Sequence, residues 1–188
     1  MGRPRTFDED TVLTAAMYAF RREGYARISV TRLEQATGLR TSSLYNAYGD
    51  KAGLFERALD HYVTTFIEPR LSAYAGPDAT LEDLEGLFLS LLEPPLNDGF
   101  GCLVINSAVE LGDDPVAAPG VSRGLQAVAD HLDSVLGREL GDVADAPALA
   151  LLYQGLLVQS RAGLTTDRHR AAVRQEFARI RARREEAR

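Results

Sequence analysis

The sequence predicts an all-α protein, with a small N-terminal three-helix domain followed by a larger helical bundle. Three observations support this. Apolar residues recur at helical spacing through nearly all of the 188 residues. Glycines and prolines break the pattern at intervals of a helix length, and no stretch alternates with the period of a strand. The chain is 45% hydrophobic and 26% charged, enough apolar content to build a core.

The first helix is expected over residues 8–23. Thr6 and Glu9 have the spacing of a capping box, and Val12, Ala15, Ala16, Ala19 and Phe20 form one face, with Gly24 as the stop. A second helix, 30–37, turns Val30, Leu33 and Ala36 inward and stops at Gly38. A short third, 41–47, is anchored by Leu44 and Tyr48. Asp50 is placed to cap a long fourth helix with the inward stripe Leu54, Phe55, Ala58, Leu59, Tyr62 and Phe66, which Pro69 should kink or end.

Thr80 and Asp83 open a fifth helix containing Leu84, Leu87, Phe88 and Leu91, closed by Pro94 and Pro95. Asn97 to Gly101 reads as a loop, and a sixth helix follows from Cys102 to Leu111. A seventh, over 116–137, is expected to break near Pro119 and Gly120. The last two helices fall at 147–163 and 167–184. Leu149, Leu152, Tyr153, Leu156 and Leu157 form a stripe on the first of these, with Ala150, Leu151 and Val158 apolar off it. A helix apolar on both sides is buried on both sides, so a second subunit is expected against one face, giving a homodimer through the last two helices.

Several classes are disfavoured by composition. No run approaches the ~18 apolar residues of a membrane span. The start, MGRPRTFDED, lacks the apolar segment of a secretory signal, and a single cysteine excludes an internal disulfide, so a cytoplasmic protein is expected. No catalytic Ser/His/Asp set, phosphate loop or metal-ligand spacing is found. Gly99 and Gly101 lack the third glycine of a dinucleotide fingerprint, and His61, His131 and His169 stand apart. Neither enzyme nor cofactor is expected. The net charge is −6, yet the first 51 residues carry eight Arg or Lys against six Asp or Glu. That locally basic head is compatible with DNA phosphates.

The informative stretch is residues 24–55, GYARISVTRLEQATGLRTSSLYNAYGDKAGLF. Two short helices joined through Gly38 make a helix-turn-helix. The outward positions of the second are small or hydrogen-bonding, as a helix lying in a major groove requires. In Gly24-Tyr25, Ser29-Val30, Thr37-Gly38-Leu39, Leu44-Tyr45-Asn46-Ala47-Tyr48, Lys51 and Leu54-Phe55 the segment resembles the TetR family of bacterial regulators. Departures from the family pattern are Ile28, Thr37 and Ala47, in place of the more usual Thr, Ala and a polar residue.

The resemblance implies residues 1–50 as the DNA-binding domain and 51–188 as a ligand-binding and dimerisation domain. Ser29 and Thr31 would meet phosphate, and Arg40, Thr41 and Ser42 would face the groove. Tyr45 would bond a phosphate and Asn46 a base edge; Lys51 would grip the flanking backbone, and Arg3 and Arg5 would enter the minor groove. It further implies double-stranded operator DNA as partner and a small-molecule effector lodged among Tyr62, Phe66, Phe88, Leu92, Phe100, Cys102, Asn106 and Tyr153. Gly101-Cys102-Leu103 is similar to a branch of the family whose cysteine senses electrophiles or oxidants. A repressor is expected; a helical adaptor or a small enzyme are the alternatives.

Overall fold

In a computed structural model describing residues 7–94 and 96–186, the chain runs through α1 (Glu9–Glu23), α2 (Val30–Thr37), α3 (Thr41–Tyr48) and α4 (Lys51–Tyr62). A π-helical turn (Val63–Ile67) leads into α5 (Glu68–Ala75). Then come α6 (Leu81–Ser90), α7 (Leu103–Leu111), α8 (Ala118–Leu140), α9 (Ala146–Arg161) and α10 (Asp167–Glu186). The described residues form no strand. Two compact units result, one from the residues up to Ile67 with Leu103–Gly124, the other from Glu68–Cys102 with residue 125 onward.

In the first unit, α1 lies mainly along α4, α2 packs on α1, and α3 on α4. Its core holds Leu13, Ala16, Met17 and Phe20 of α1, Ile28, Leu33 of α2, Leu44 of α3, and Leu54, Phe55, Ala58 and Leu59 of α4, all buried. Phe20 meets Phe55 edge-on at 4.9 Å between ring centroids, and Tyr25 lies 4.8 Å from Phe55. These rings tie the first turn to α4, since edge-on aromatic pairs add attraction beyond area burial. His61, buried on α4, bonds the Thr14 hydroxyl of α1 at 2.9 Å. The packing unit extends past residue 50, because α1 is covered by α4 and α7 as well as by α2.

Four expectations are corrected in detail. Asp8 is the N-cap of α1 and accepts the Thr11 amide at 3.3 Å; Thr6 lies outside the described residues. The fourth helix does not run on to Pro69. It ends at Tyr62 and widens into the π turn, where the Thr65 hydroxyl donates to the carbonyl of His61 at 2.6 Å. Pro69 then sits in the first turn of α5, where its missing N–H deprives no helical bond. The seventh predicted helix is unbroken as α8 for the same reason: it starts at Ala118, so Pro119 occupies its first turn. Finally, α6 ends at Ser90 ahead of Leu91, while its capping box of Thr80 and Asp83 is formed as expected.

In the second unit α6 packs on α5 and α10. Phe88 meets Tyr153 of α9 and Phe177 of α10 edge-on, at 5.6 and 5.3 Å. Four arginines of α10 are paired with acids of this unit. Arg179 pairs with Asp145 and Glu176, Arg181 with Glu85, Arg183 with Asp142 and Asp145, and Arg184 with Glu139. The acids beside it push the Arg179 pKa further up. Asn97 joins the loop after α6 to the end of α9, bonding Thr165 at 2.8 Å and accepting from buried Ser160 at 3.1 Å.

Replacing Phe55 by Ala removes the ring that Phe20 and Tyr25 share. It is expected to cost about 3–5 kcal/mol, read as a lowered midpoint in chemical unfolding.

Candidate nucleic-acid interface

The helix-turn-helix is α2, a three-residue turn and α3. Gly38 caps α2 with a left-handed backbone (φ 71°), which only glycine adopts at no steric cost, and its amide donates to the Glu34 carbonyl at 2.9 Å. Thr37 fastens the same end. Its hydroxyl donates to the carbonyl of Leu33 at 2.7 Å and accepts from the Leu39 amide at 3.3 Å. The threonine that departs from the usual alanine thus adds side-chain bonds at the turn.

α3 is eight residues long, so it spans about 12 Å. A helix with its side chains is about 10–12 Å across, which fits the ~12 Å width of the B-DNA major groove. Its inner row is Thr41, Leu44, Ala47 and Tyr48, of which Leu44 is fully buried. Its exposed row is Ser42, Tyr45, Asn46 and Gly49, at i, i+3, i+4 and i+7 along one face. Arg40, just before, has extended backbone and an exposed side chain.

Ser29 and Thr31 lie exposed at the start of α2, with the Ser29 hydroxyl accepting the Arg32 amide at 3.2 Å. Lys51 begins α4. Its Nζ stands 4.8 Å from the centre of the Tyr25 ring, while Asp50 caps the helix by accepting the Gly53 amide at 2.8 Å. Arg3 and Arg5 lie outside the described residues. Arg32 is partnered by Glu23 at 2.9 Å and Gln35 at 2.8 Å, which partly offsets its charge.

Sequence reasoning missed Glu34. Arg40, at the N-cap of α3, makes no capping bond. Glu34, reaching over from α2, accepts instead from the Thr41 amide at 2.5 Å and from the Thr41 hydroxyl at 2.7 Å. A carboxylate here also meets the positive end of the α3 dipole. The Thr41 hydroxyl bonds, then its amide, hold the Glu34 carboxyl below its ordinary pKa of 4.5. The available signal was negative: a helix start without a Ser, Thr, Asp or Asn at the cap position needs a cap from elsewhere.

The eight residues expected around an effector divide between the units. Tyr62, Phe66 and Asn106 belong to the first, where Tyr62 and Phe66 stack at 5.1 Å and Asn106 donates to the Arg21 carbonyl at 3.3 Å. Phe88, Leu92, Phe100, Cys102 and Tyr153 belong to the second. Cys102 is 6% exposed, and burial pushes the Tyr153 pKa up to about 12. His131 bonds the Ala127 carbonyl at 2.8 Å, and His169 accepts from the Thr166 amide at 3.1 Å.

A groove-sized helix held by its neighbours, with a polar outer face, is the construction of a helix-turn-helix regulator. No protein-family model matches the chain. Among known proteins it is 31% identical over 175 residues to the HTH-type transcriptional regulator YezE of Bacillus subtilis, the match covering 88% of each chain. It is 31% identical over 116 residues to the HTH-type transcriptional repressor ComR of Escherichia coli. That match takes in 60% of this chain and only 55% of ComR, so little more than half of that relative's length is spanned. Among solved structures it is similar to a cysteine mutant of the TetR family regulator CifR, complexed with a 26 bp double-strand operator DNA. The TM-score is 0.76 at 29% identity, over 94% of this chain and 98% of that one. The chain belongs to the TetR family of transcriptional regulators.

Glu34 contributes to stability with a defined pH dependence. Its pKa is lowered by folding, so its contribution is complete at neutral pH and disappears as the pH falls below 4.5 through the lowered value. Protection of the Thr41 amide against hydrogen exchange is expected to fall in the same range, and to be lost at neutral pH in Glu34→Ala.

Proposed function

We propose that the protein is a homodimeric repressor that binds a palindromic operator in duplex DNA and leaves it when an effector is sensed. The reading rests on the exposed row Ser42, Tyr45 and Asn46 on a short helix, preceded by Arg40. It is supported by the operator complex of the similar regulator CifR and by the naming of ComR as a repressor. Residues 1–50 read DNA, and 51–188 dimerise and sense.

Arg40, Ser42 and Asn46 meet base edges or nearby phosphates, and Tyr45, Ser29, Thr31 and Lys51 meet phosphate. Thr41 serves through its bonds to Glu34, which fix the start of the helix. Arg3 and Arg5 supply a basic arm to the minor groove. The protein acts in the cytoplasm, where its DNA is, and as a regulator it needs no catalytic group.

Dimerisation is assigned to α9 and α10. Leu151, at 69% exposure, and Val158, at 45%, fall on one stripe with exposed Ala148, Gly155 and Ala162, alternating three and four residues apart. On α10, Ala171, Gln175, Ala178 and Ala182 follow at similar spacing. Such spacing suits close helix pairing, and two copies would form a four-helix bundle. A two-fold dimer then sets its two recognition helices about 34–36 Å apart, one helical turn of DNA.

Two routes of release are proposed: a small molecule held by the aromatic and aliphatic residues named above, or alkylation of Cys102. In the second, the thiol adds across an electron-poor double bond, sulfur to one carbon and its proton to the other. The buried setting of Cys102 makes an added group displace its neighbours.

The test is binding of the full chain to duplexes selected from random DNA. Binding should weaken steeply with salt, and Asn46→Ala should lose about 5–150-fold in affinity. Absence of duplex binding at low ionic strength refutes the reading. Leu151→Glu combined with Val158→Glu should yield monomers in sedimentation, with much-weakened operator binding. N-ethylmaleimide should release operator from the parent protein and leave Cys102→Ser bound.

A further inference from the structure

The geometry points to Glu110, on α7, as a positioning residue for the DNA-reading helices, acting on the turn between α1 and α2; this deepens the DNA-binding reading above and rests on it. Its two carboxylate oxygens accept two successive backbone amides of that turn, Oε2 from Tyr25 at 2.9 Å and Oε1 from Ala26 at 2.8 Å. One helical turn earlier on α7, Asn106 donates to the Arg21 carbonyl at the end of α1, at 3.3 Å. α7 therefore grips both sides of the point where the chain leaves α1.

Gly24 makes the grip possible. A Cβ built there would stand 2.9 Å from both Glu110 carboxylate oxygens, in a backbone with φ of 82° that side chains rarely adopt. The gripped residues lead directly to the phosphate-facing end of α2. Ile28 is buried, donating its amide to the Gly24 carbonyl at 3.3 Å, and Ser29 is the N-cap of α2. Only Arg27 and Ile28 separate the Glu110 bonds from Ser29, too short a link to absorb a displacement.

The amides of Tyr25 and Ala26 are not needed to close either helix. α1 ends on the Gly24 amide bond to Phe20, and α2 is capped by Ser29. Both bonds to Glu110 lie at the surface, so water can take its place. Removing the carboxylate therefore costs the fold little and costs the position of the turn more. A residue needed only for folding would show the opposite balance. α7 begins immediately after Cys102, so a change at that thiol has a direct covalent path into the helix that holds the turn.

The experiment uses the full chain and a duplex that the parent protein selects from random DNA. Glu110→Ala is expected to bind that duplex about fivefold or more weakly, the low end for two charge-assisted bonds because both are solvent-exposed. Its melting temperature should stay within about 3 °C of the parent. Amide exchange should quicken at Tyr25 and Ala26 and spread to Arg32. Glu110→Gln, the same size with one acceptor, should fall between, and Val109→Ala beside it should match the parent. Glu110→Ala or Glu110→Gln binding as the parent does, or a loss of binding that tracks a loss of helix content, overturns the assignment. A parent protein that selects no duplex refutes the DNA-binding reading and the assignment together. The exchange measurement needs no DNA: Tyr25 and Ala26 protected equally with and without the Glu110 carboxylate would overturn the assignment alone.

Discussion

Burial of α1 against α4 is the constraint on which the rest of this protein depends. Helices of eight residues do not persist in water, where about 12–15 are needed even with favourable composition. α2 and α3 each have eight. They exist because Ile28, Leu33 and Leu44 reach a core that α1 and α4 have already enclosed around Phe20 and Phe55. A recognition helix can therefore present a polar face to DNA, since its own inner row contributes only modestly to the core. The packing that supports it lies one layer below.

With so little burial of their own, these short helices are fixed by their ends. Ser29, Thr37 and Gly38 close α2 locally, and Asp50 caps α4 just after α3. Two carboxylates do the same from a distance: Glu34 at the start of α3 and Glu110 at the turn before α2. An anion accepting backbone amides is strong where the amides converge, and it is directional. This makes the position of the reading face depend on the placement of α2 and α7, and not on the local chain alone.

The second unit is built on different terms. Its apolar core around Phe88, Tyr153 and Phe177 is flanked by α10, a helix so rich in arginine that in isolation it suggests a nucleic-acid contact. In the folded chain Arg179, Arg181, Arg183 and Arg184 face acids of α6, α8 and the segment before α9. Surface pairs of this kind add little individually. Their effect is to orient α10 and to leave its alanines, with Leu151 and Val158 of α9, on open faces.

Much of this was legible in the sequence, because helical periodicity and capping are local. The order of helices, the stop at Gly24, the cap at Asp50, the capping box at Thr80 and the turn at Gly38 all depend on residues within one helical turn of one another. So did most of the polar outer row of α3, Ser42, Tyr45 and Asn46; Thr41, expected to face the groove, instead turns inward to bond Glu34. Where prolines were concerned, the sequence misled: Pro69 and Pro119 read as breaks, but each falls in a first helical turn once the true boundary is known. That boundary at Tyr62 is set by a π turn, which leaves no periodic mark in the sequence. The partners of Thr41, seven residues away, and of Tyr25, eighty-five residues away, were decided by tertiary structure alone, because a hydrogen bond needs proximity in space and the chain carries no local record of which distant side chain will be there.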